Sequence, residues 1–115
     1  MIIITATFVL ADPESRPEAI AKATPLQQAT RDSEPGCEAY VFSPDPAEEN
    51  KVAVYELWED RDSFAAHFEN PYYERMASLL RGVGFVSSTN QAYLIERGVP
   101  VYTEDGGKKT VFFQD

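Results

Sequence analysis

The sequence predicts an α+β domain of the ferredoxin-like type, with its elements in the order β-α-β-β-α-β. An almost continuously apolar, β-branched run opens the chain at residues 2–10. Two further strand-like segments flank the acidic loop PDPAEEN at residues 44–50. Two segments with helical start and stop signals separate the strands, and a fourth strand follows the second of them. At 115 residues the chain has the size of one domain.

The first strand and the first helix are predicted from residues 2–36. Ile2 to Leu10 is rich in strand-favouring residues and has no clearly polar face, so we expect both faces to be covered. Ser15 begins a capping box, and the helix runs to about Asp32. Glu34-Pro35-Gly36 ends this helix, with Gly36 able to adopt a positive φ before the next strand.

The second and third strands are predicted to form a hairpin. The second strand is Cys37 to Ser43, which places Tyr40 on the same face as Phe42. The third strand is Lys51 to Trp58, and Glu56 lies on the same side as Trp58 because residues two apart share a strand face.

The second helical region begins after Asp60, a residue type that caps helices well. Pro71 divides the region into two segments, and Gly82 is expected to close the second one. A fourth strand is predicted from Phe85 to Arg97.

We assign residues 1–97 to one domain and residues 98–115 to a C-terminal extension. Apolar runs flank the turn Glu104-Asp105-Gly106-Gly107 in this extension, which indicates a β-hairpin. An isolated hairpin is barely stable in water, so we expect it to pack on a second subunit at a dimer interface. The nearly all-apolar first strand also favours a homodimer, because the second face of the sheet needs a cover.

The composition argues against several classes of partner. With 19 acidic and 10 basic residues the net charge is −9, whereas nucleic acids and anionic membranes attract basic surfaces. One Cys permits no internal disulfide, and one Cys with one His provides no zinc-ligand cluster. The apolar start is too short to span a bilayer. We therefore expect a reduced, cytoplasmic protein that binds neither nucleic acid nor membrane.

The segment around the third strand places an acid and a base near each other. A helix that leaves a strand abruptly must fold back over the sheet, so Glu56 and Trp58 should face one side of the following helix. That side carries Phe64, His67 and Phe68. The result is either a packed core or a small pocket. His67 is the side chain best suited to proton abstraction at neutral pH, and Glu56 is expected to orient its imidazole.

Three sequence blocks resemble the antibiotic-biosynthesis-monooxygenase (ABM) family: EPGC at residues 34–37, YELWED at 55–60 and AAHFENP at 65–71. The resemblance implies a dimeric α+β barrel of ferredoxin-like subunits, with a cavity between sheet and helices. It is strongest to the quinol-monooxygenase-like branch, which shares the Glu-x-Trp and Ala-His patterns. Tyr72 stands where that branch has a second histidine, and Ala77 stands where haem-degrading members have their haem ligand.

The resemblance implies a cofactor-independent monooxygenase that oxidises a small phenolic, quinol or polyketide-like aromatic substrate with O₂. His67 would deprotonate the substrate, Glu56 would assist it, and no haem, flavin or metal would be needed. The side chains expected to bind the substrate are Trp58, Phe64, Phe68, Tyr72 and Tyr40. The alternative is a non-catalytic dimeric module of the same fold that binds a small ligand or a partner. In that case His67 and Glu56 are a structural hydrogen-bonded pair.

Overall fold

A computed structural model describes residues 1–114 of the chain, and its elements follow the predicted ferredoxin-like order. The elements are β1 (Ile2–Leu10), α1 (Arg16–Ser33), β2 (Cys37–Pro44), β3 (Lys51–Trp58), α2 (Arg61–His67), α3 (Pro71–Val83) and β4 (Phe85–Leu94). The α+β prediction is confirmed. None of the helices in this part of the chain is long and apolar enough to cross a membrane.

The four strands form one antiparallel sheet in the order β2-β3-β1-β4. Glu56 of β3 pairs with Ile4 of β1 on one side and with Tyr40 of β2 on the other. Side chains in such a row share a face, because directly opposite residues in a ladder point the same way. The register therefore places Tyr40, Glu56 and Ile4 side by side on one face of the sheet.

The helices cover this same face, and the core lies between the two layers. On β3 the buried residues are Val52, Val54, Glu56 and Trp58, while the residues between them are partly or fully exposed. The opposite face is open, since Thr5 of β1 and Tyr55 of β3 are both exposed. A single chain therefore leaves the second face of β1 uncovered.

At one predicted helix end the capping bond is absent, and another predicted helix end is wrong. Ser15 has helical backbone angles and makes no capping bond, since a 3₁₀ turn precedes α1 and Asp12 accepts from the N–H of Glu14 at 3.0 Å. At the other end of the helical region, α3 continues past Gly82. It stops at Gly84, whose φ of 88° suits glycine and whose N–H donates to the Leu80 carbonyl at 3.0 Å.

Other predicted boundaries are confirmed. Asp60 caps α2 by accepting from the N–H of Ser63, and Gly36 has a φ of 81°. Pro71 divides the helical region as the first residue of α3, where Asn70 provides the cap. β4 is shorter than expected and ends at Leu94.

The end of the described chain exposes a large amount of apolar surface. β4 is exposed along its whole length, with Val86 at 70% and Leu94 at 63% of full exposure. The predicted C-terminal hairpin is present but short, held by an antiparallel bridge between Tyr102 and Lys108. Its apolar side chains Val101, Tyr102, Val111, Phe112 and Phe113 are exposed as well.

Candidate functional site

A cavity of about 460 Å³ lies between the inner face of the sheet and helices α2 and α3. Its floor is the row Tyr40, Glu56 and Ile4, followed by Phe42, Val54, Ala6 and Asn90 and then by Phe8 and Phe85. Its roof is formed by Phe64, His67 and Phe68 of α2 with Tyr73, Met76, Ala77, Leu80 and Arg81 of α3. Most of this lining is apolar, so its few polar groups determine which chemistry is available.

His67 is held by a buried carboxylate from the far end of α1. Its Nδ1 atom lies 2.8 Å from Oε1 of Glu34, and the two side chains are only 3% and 5% exposed. A carboxylate that accepts from Nδ1–H fixes the tautomer in which Nε2 carries the lone pair. Because Nδ1 is used in this way, Nε2 is the nitrogen left to meet a ligand in the cavity.

The turn after α1 brings Glu34 to this position. Glu34 leaves the helix in an extended conformation while its N–H still donates to the carbonyl of Thr30. Gly36 then turns the chain with a positive φ, and its carbonyl accepts from the N–H of Glu59 at 2.8 Å. A Cβ atom on Gly36 would lie 2.1 Å from Oγ of Ser63, so α2 approaches this turn more closely than any other residue type allows.

Four aromatic rings surround the imidazole of His67. The ring centroids lie 4.8 Å away for Trp58, 5.2 Å for Tyr40, 5.4 Å for Tyr73 and 6.0 Å for Phe68. This packing restricts the imidazole to one orientation and removes water from its sides. The hydrogen bond to Glu34 is therefore formed in a surrounding of low polarity, where such bonds are stronger than in water.

Glu56 is a second buried carboxylate that lines the cavity. Its Oε1 accepts a hydrogen bond from Nε1 of Trp58 at 2.9 Å, and the residue is 8% exposed. Burial raises the pKa of Glu56 above its ordinary 4.5, and the negative charge of Glu34 acts in the same direction. The Trp58 hydrogen bond and His67 oppose this shift without cancelling it. Glu56 therefore keeps its proton to a higher pH than an exposed glutamate does.

This pKa predicts how a Glu56→Gln substitution changes the dependence of stability on pH. Above the ordinary pKa and up to the raised one, folded Glu56 holds a proton that the unfolded chain has lost, so wild-type stability falls as the pH rises. Gln has no such proton and still accepts from Trp58. In urea denaturation followed by Trp58 fluorescence, the variant should therefore gain stability relative to wild type as the pH rises through this range. A difference that does not change with pH would contradict this prediction.

Two other ionisable groups near the carboxylates stay protonated at neutral pH. Burial, reinforced by Glu56 and Glu34, raises the pKa of Tyr40 far above its ordinary value, so its hydroxyl is a donor and not a base. Burial raises the pKa of the Cys37 thiol to about 11, with Glu34 and Glu56 contributing further. Cys37 is therefore a weak nucleophile, because the thiolate is the reactive form.

The structure brings together most, but not all, of the predicted site residues. The five that line the cavity are His67, Glu56, Phe64, Phe68 and Tyr40. Trp58 is 0% exposed and does not line the cavity, although it contacts both His67 and Glu56. Tyr72 is also outside the lining, and its ring lies 5.3 Å from the guanidinium of Arg75. A direct ligand contact by Trp58 or Tyr72 does not fit this arrangement.

The orienting partner of His67 corrects the expectation from sequence. Glu34 holds the imidazole, whereas Glu56 is bonded to Trp58. An acid at the C-terminal end of a helix is disfavoured by the helix dipole, and this unusual position was the available signal for Glu34. Tyr73 lines the cavity where Tyr72 does not, and its spacing of three, four and seven residues from Met76, Ala77 and Leu80 places all four on one helix face.

The donor set of the cavity does not resemble a metal site. Within residues 1–114, no group of three or more His, Cys, Asp or Glu side chains is arranged so that it could hold a metal ion. One oxygen of each carboxylate is instead hydrogen-bonded, that of Glu34 to Nδ1 of His67 and that of Glu56 to Nε1 of Trp58. What the arrangement offers a ligand is one base, one acid and an apolar, aromatic enclosure.

Comparisons with known proteins agree with this fold. A model of the family described as ABM, antibiotic biosynthesis monooxygenase, matches residues 1–79, which are 79 of the 115 residues. The uncharacterized protein sll1783 of Synechocystis sp. PCC 6803 is 34% identical over 71 residues, which are 62% of this chain and 48% of that protein. The chain thus spans about half the length of this relative.

Solved structures resemble the chain over most of its length. A candidate antibiotic biosynthesis monooxygenase from Caulobacter crescentus CB15 has a TM-score of 0.74 at 21% identity, covering 83% of this chain and 90% of its own. Rv0793 from Mycobacterium tuberculosis has a TM-score of 0.72 at 16% identity, covering 86% of this chain and 98% of its own. At these identities the likeness shows the fold alone.

Proposed function

The chain belongs to the antibiotic biosynthesis monooxygenase family, and on that premise we propose that it is a cofactor-independent monooxygenase of small phenolic or quinol substrates. The observation that carries the proposal is the buried hydrogen bond between Glu34 and Nδ1 of His67. It leaves Nε2 as a base at the wall of an aromatic cavity. A histidine with only a structural role would not need its second ring nitrogen to face a cavity.

The size and lining of the cavity support an aromatic substrate. A volume of about 460 Å³ lies within the range of pockets that enclose small organic ligands. Phe8, Phe42, Phe64 and Phe68 supply ring faces and edges against which a planar substrate can pack. A phenolic hydroxyl that donates to Nε2 would place the ring of the substrate among these side chains.

Proton abstraction is the step that this site would accelerate. Nε2 of His67 takes the hydroxyl proton, and the resulting anion gives one electron to O₂. The substrate radical and superoxide then combine to form a carbon–oxygen bond. For a hydroquinone the overall change is C₆H₆O₂ + O₂ → C₆H₄O₃ + H₂O, so one oxygen atom enters the product and the other becomes water. The substrate supplies all four electrons, and the reaction needs no other reductant.

Oxygen uptake and isotope incorporation test this proposal. The purified protein is supplied with hydroquinones of one, two and three fused rings under ¹⁸O₂. We expect accelerated uptake with at least one of them, one O₂ used per substrate, and one ¹⁸O atom in the product. Uptake no faster than in buffer would refute the proposal. Quenching of Trp58 fluorescence by a quinol without any turnover would instead support a ligand-binding module.

Glu34→Gln should lower kcat/KM by about 10²-fold, the typical cost of a small misplacement of a catalytic group. The amide keeps the size of the side chain but replaces the carboxylate that stabilises the charged imidazole during proton transfer. The loss should appear mainly in kcat, because Glu34 does not line the cavity. An unchanged kcat in a correctly folded variant would show that Glu34 has only a structural role.

We also propose that residues 1–97 form the family domain and that residues 98–115 extend it toward a second subunit in a homodimer. The proposal is supported by the open second face of the sheet and by the exposed apolar side chains of β4 and the hairpin. Apolar patches of this kind mark interfaces. Sedimentation equilibrium at micromolar concentration should give the dimer mass, and truncation after Arg97 should weaken the dimer. A monomer mass for the full chain would contradict the assembly.

A further inference from the structure

The cavity contains a second ionisable group that the deprotonation step does not use. Glu56 lies on β3, across the cavity from the helix that carries His67. Its Oε1 is bonded to Nε1 of Trp58, which leaves Oε2 for the cavity. Glu34, by contrast, is bonded to His67 and does not line the cavity. The two buried carboxylates therefore have different roles available to them.

The register places Glu56 and His67 around the same point of the cavity. Tyr40 is the cross-strand neighbour of Glu56, and its ring centroid lies 5.2 Å from that of His67. Trp58 donates to Glu56, and its ring centroid lies 4.8 Å from the same imidazole. Tyr40 and Trp58 thus each contact both Glu56 and His67. A ligand whose hydroxyl donates to Nε2 of His67 therefore also lies next to Glu56.

Burial is the main reason why Glu56 favours its neutral form. The charged groups that act on its pKa are His67 on α2, which lowers it, and Glu34 at the end of α1, which raises it. Cys37 and Tyr40 on β2 lie near both carboxylates and stay neutral at pH 7. Of these only His67 can carry a positive charge, and that charge is shared with Glu34. A carboxylate at Glu56 would thus be a buried negative charge without a cation of its own. Glu56 and Glu34 thus have different surroundings. In enzymes with two such acids, one commonly donates a proton while the other stays ionised and stabilises charge.

We propose that Glu56 is the proton donor of the site, delivering its proton to the peroxide oxygen that leaves as water. This inference rests on the proposed monooxygenase function and adds a second catalytic residue to it. The substrate class that follows is a phenol or quinol that carries a hydrogen atom on the carbon that O₂ attacks. Only such a carbon can form a carbonyl group when the O–O bond breaks.

The protons and electrons of this step balance. His67 holds the hydroxyl proton of the substrate, and the attacked carbon carries its hydrogen and a peroxide anion. Glu56 protonates the outer peroxide oxygen, the O–O bond breaks, and the C–H electron pair forms the new carbonyl bond. The outer oxygen leaves as water with the proton from Glu56 and the proton from carbon. The proton on His67 then returns Glu56 to its acid form.

Glu56→Gln tests the role, because Gln keeps the acceptor for Trp58 but has no acidic proton. We expect O₂ uptake that still depends on His67, while most of the consumed O₂ appears as hydrogen peroxide or organic hydroperoxide. The rate of product formation should fall by about 10²- to 10⁴-fold, the usual contribution of a general acid. The matched control is Glu38→Gln, an exposed acid on β2, which should form product and water as the wild type does.

Formation of hydroxylated quinone and water by Glu56→Gln at the wild-type rate would overturn the inference. A wild-type protein that incorporates no ¹⁸O would instead refute the proposed function itself, and this is seen before any substitution is made.

Infrared spectroscopy adds a test without substrate. The wild type should show the carbonyl stretch of a protonated carboxylic acid above the ordinary glutamate pKa of 4.5, and Glu56→Gln should lack it. Absence of the band from the wild type would also overturn the inference.

Discussion

His67→Asn is expected to lower kcat/KM for a quinol substrate by about 10²- to 10⁴-fold, the usual contribution of a general base. Asn places an amide nitrogen close to the position of Nδ1, so a donor to Glu34 is kept while Nε2 is removed. The oxygen-uptake assay under ¹⁸O₂ provides the measurement. Turnover of a substrate by His67→Asn at the wild-type rate would show that the substrate is ionised without help from this residue.

The choice of Asn rather than Ala follows from the burial of the Glu34–His67 pair. Both side chains are almost inaccessible, and removing one partner of a buried pair typically costs about 3–5 kcal/mol. His67→Ala should therefore lose stability as well as activity, and the two effects would be mixed. Phe8→Leu serves as the control for binding, since it trims the cavity wall at a ring that packs on Phe42 and Phe85 and should mainly raise KM.

Gly36→Ala is expected to destabilise the fold by about 2–5 kcal/mol. Left-handed backbone angles cost a non-glycine residue about 1–2 kcal/mol. The added Cβ would also lie 2.5 Å from Cβ of Ser63, an overlap whose relief costs about a further 1–3 kcal/mol. Moving α2 away from the turn would relieve the overlap but would also separate His67 from Glu34. Urea denaturation followed by Trp58 fluorescence measures the loss, and any remaining folded protein should have reduced activity.

Gly82→Ala is the matched control for this substitution. Gly82 lies in α3 with φ in the ordinary range, and a Cβ there would meet no atom within 4 Å. Ala in place of Gly in a helix stabilises by roughly 0.5–1 kcal/mol, so the two substitutions should have opposite signs. Equal midpoints for Gly36→Ala and wild type would contradict the close contact between the turn and α2.

The sequence predicted those parts of the fold that depend on local pattern. β1 and β3 begin and end at the predicted residues, because β-branched and alternating apolar segments leave few other possibilities. Helix ends were predicted less well. Ser15 precedes α1 as predicted but makes no capping bond, and α3 ends at Gly84 instead of Gly82 because sequence alone does not rank two glycines so close together.

In the site as well, features that depend on local sequence pattern were predicted, and contacts between distant parts of the chain were not. Strand and helix faces correctly placed Glu56 opposite His67 in a cavity. Glu34 was missed because its bond to His67 joins residues 33 positions apart on different elements, which no periodicity reveals. The position of Trp58 on its strand face was also correct, but pattern alone does not determine depth. Its ring is completely covered and contacts His67 and Glu56 instead of a ligand.

Nitrogen NMR of His67 tests most directly whether Glu34 presents Nε2 to the ligand, and the chain contains a single histidine to observe. In protein labelled with ¹⁵N-histidine, the neutral ring should carry its proton on Nδ1, hydrogen-bonded to Glu34, with Nε2 unprotonated. Addition of a hydroxynaphthalene without O₂ should shift the Nε2 signal toward the protonated form and change Nδ1 little. A neutral ring with its proton on Nε2, or a bound ligand that leaves the Nε2 signal unchanged, would contradict the account.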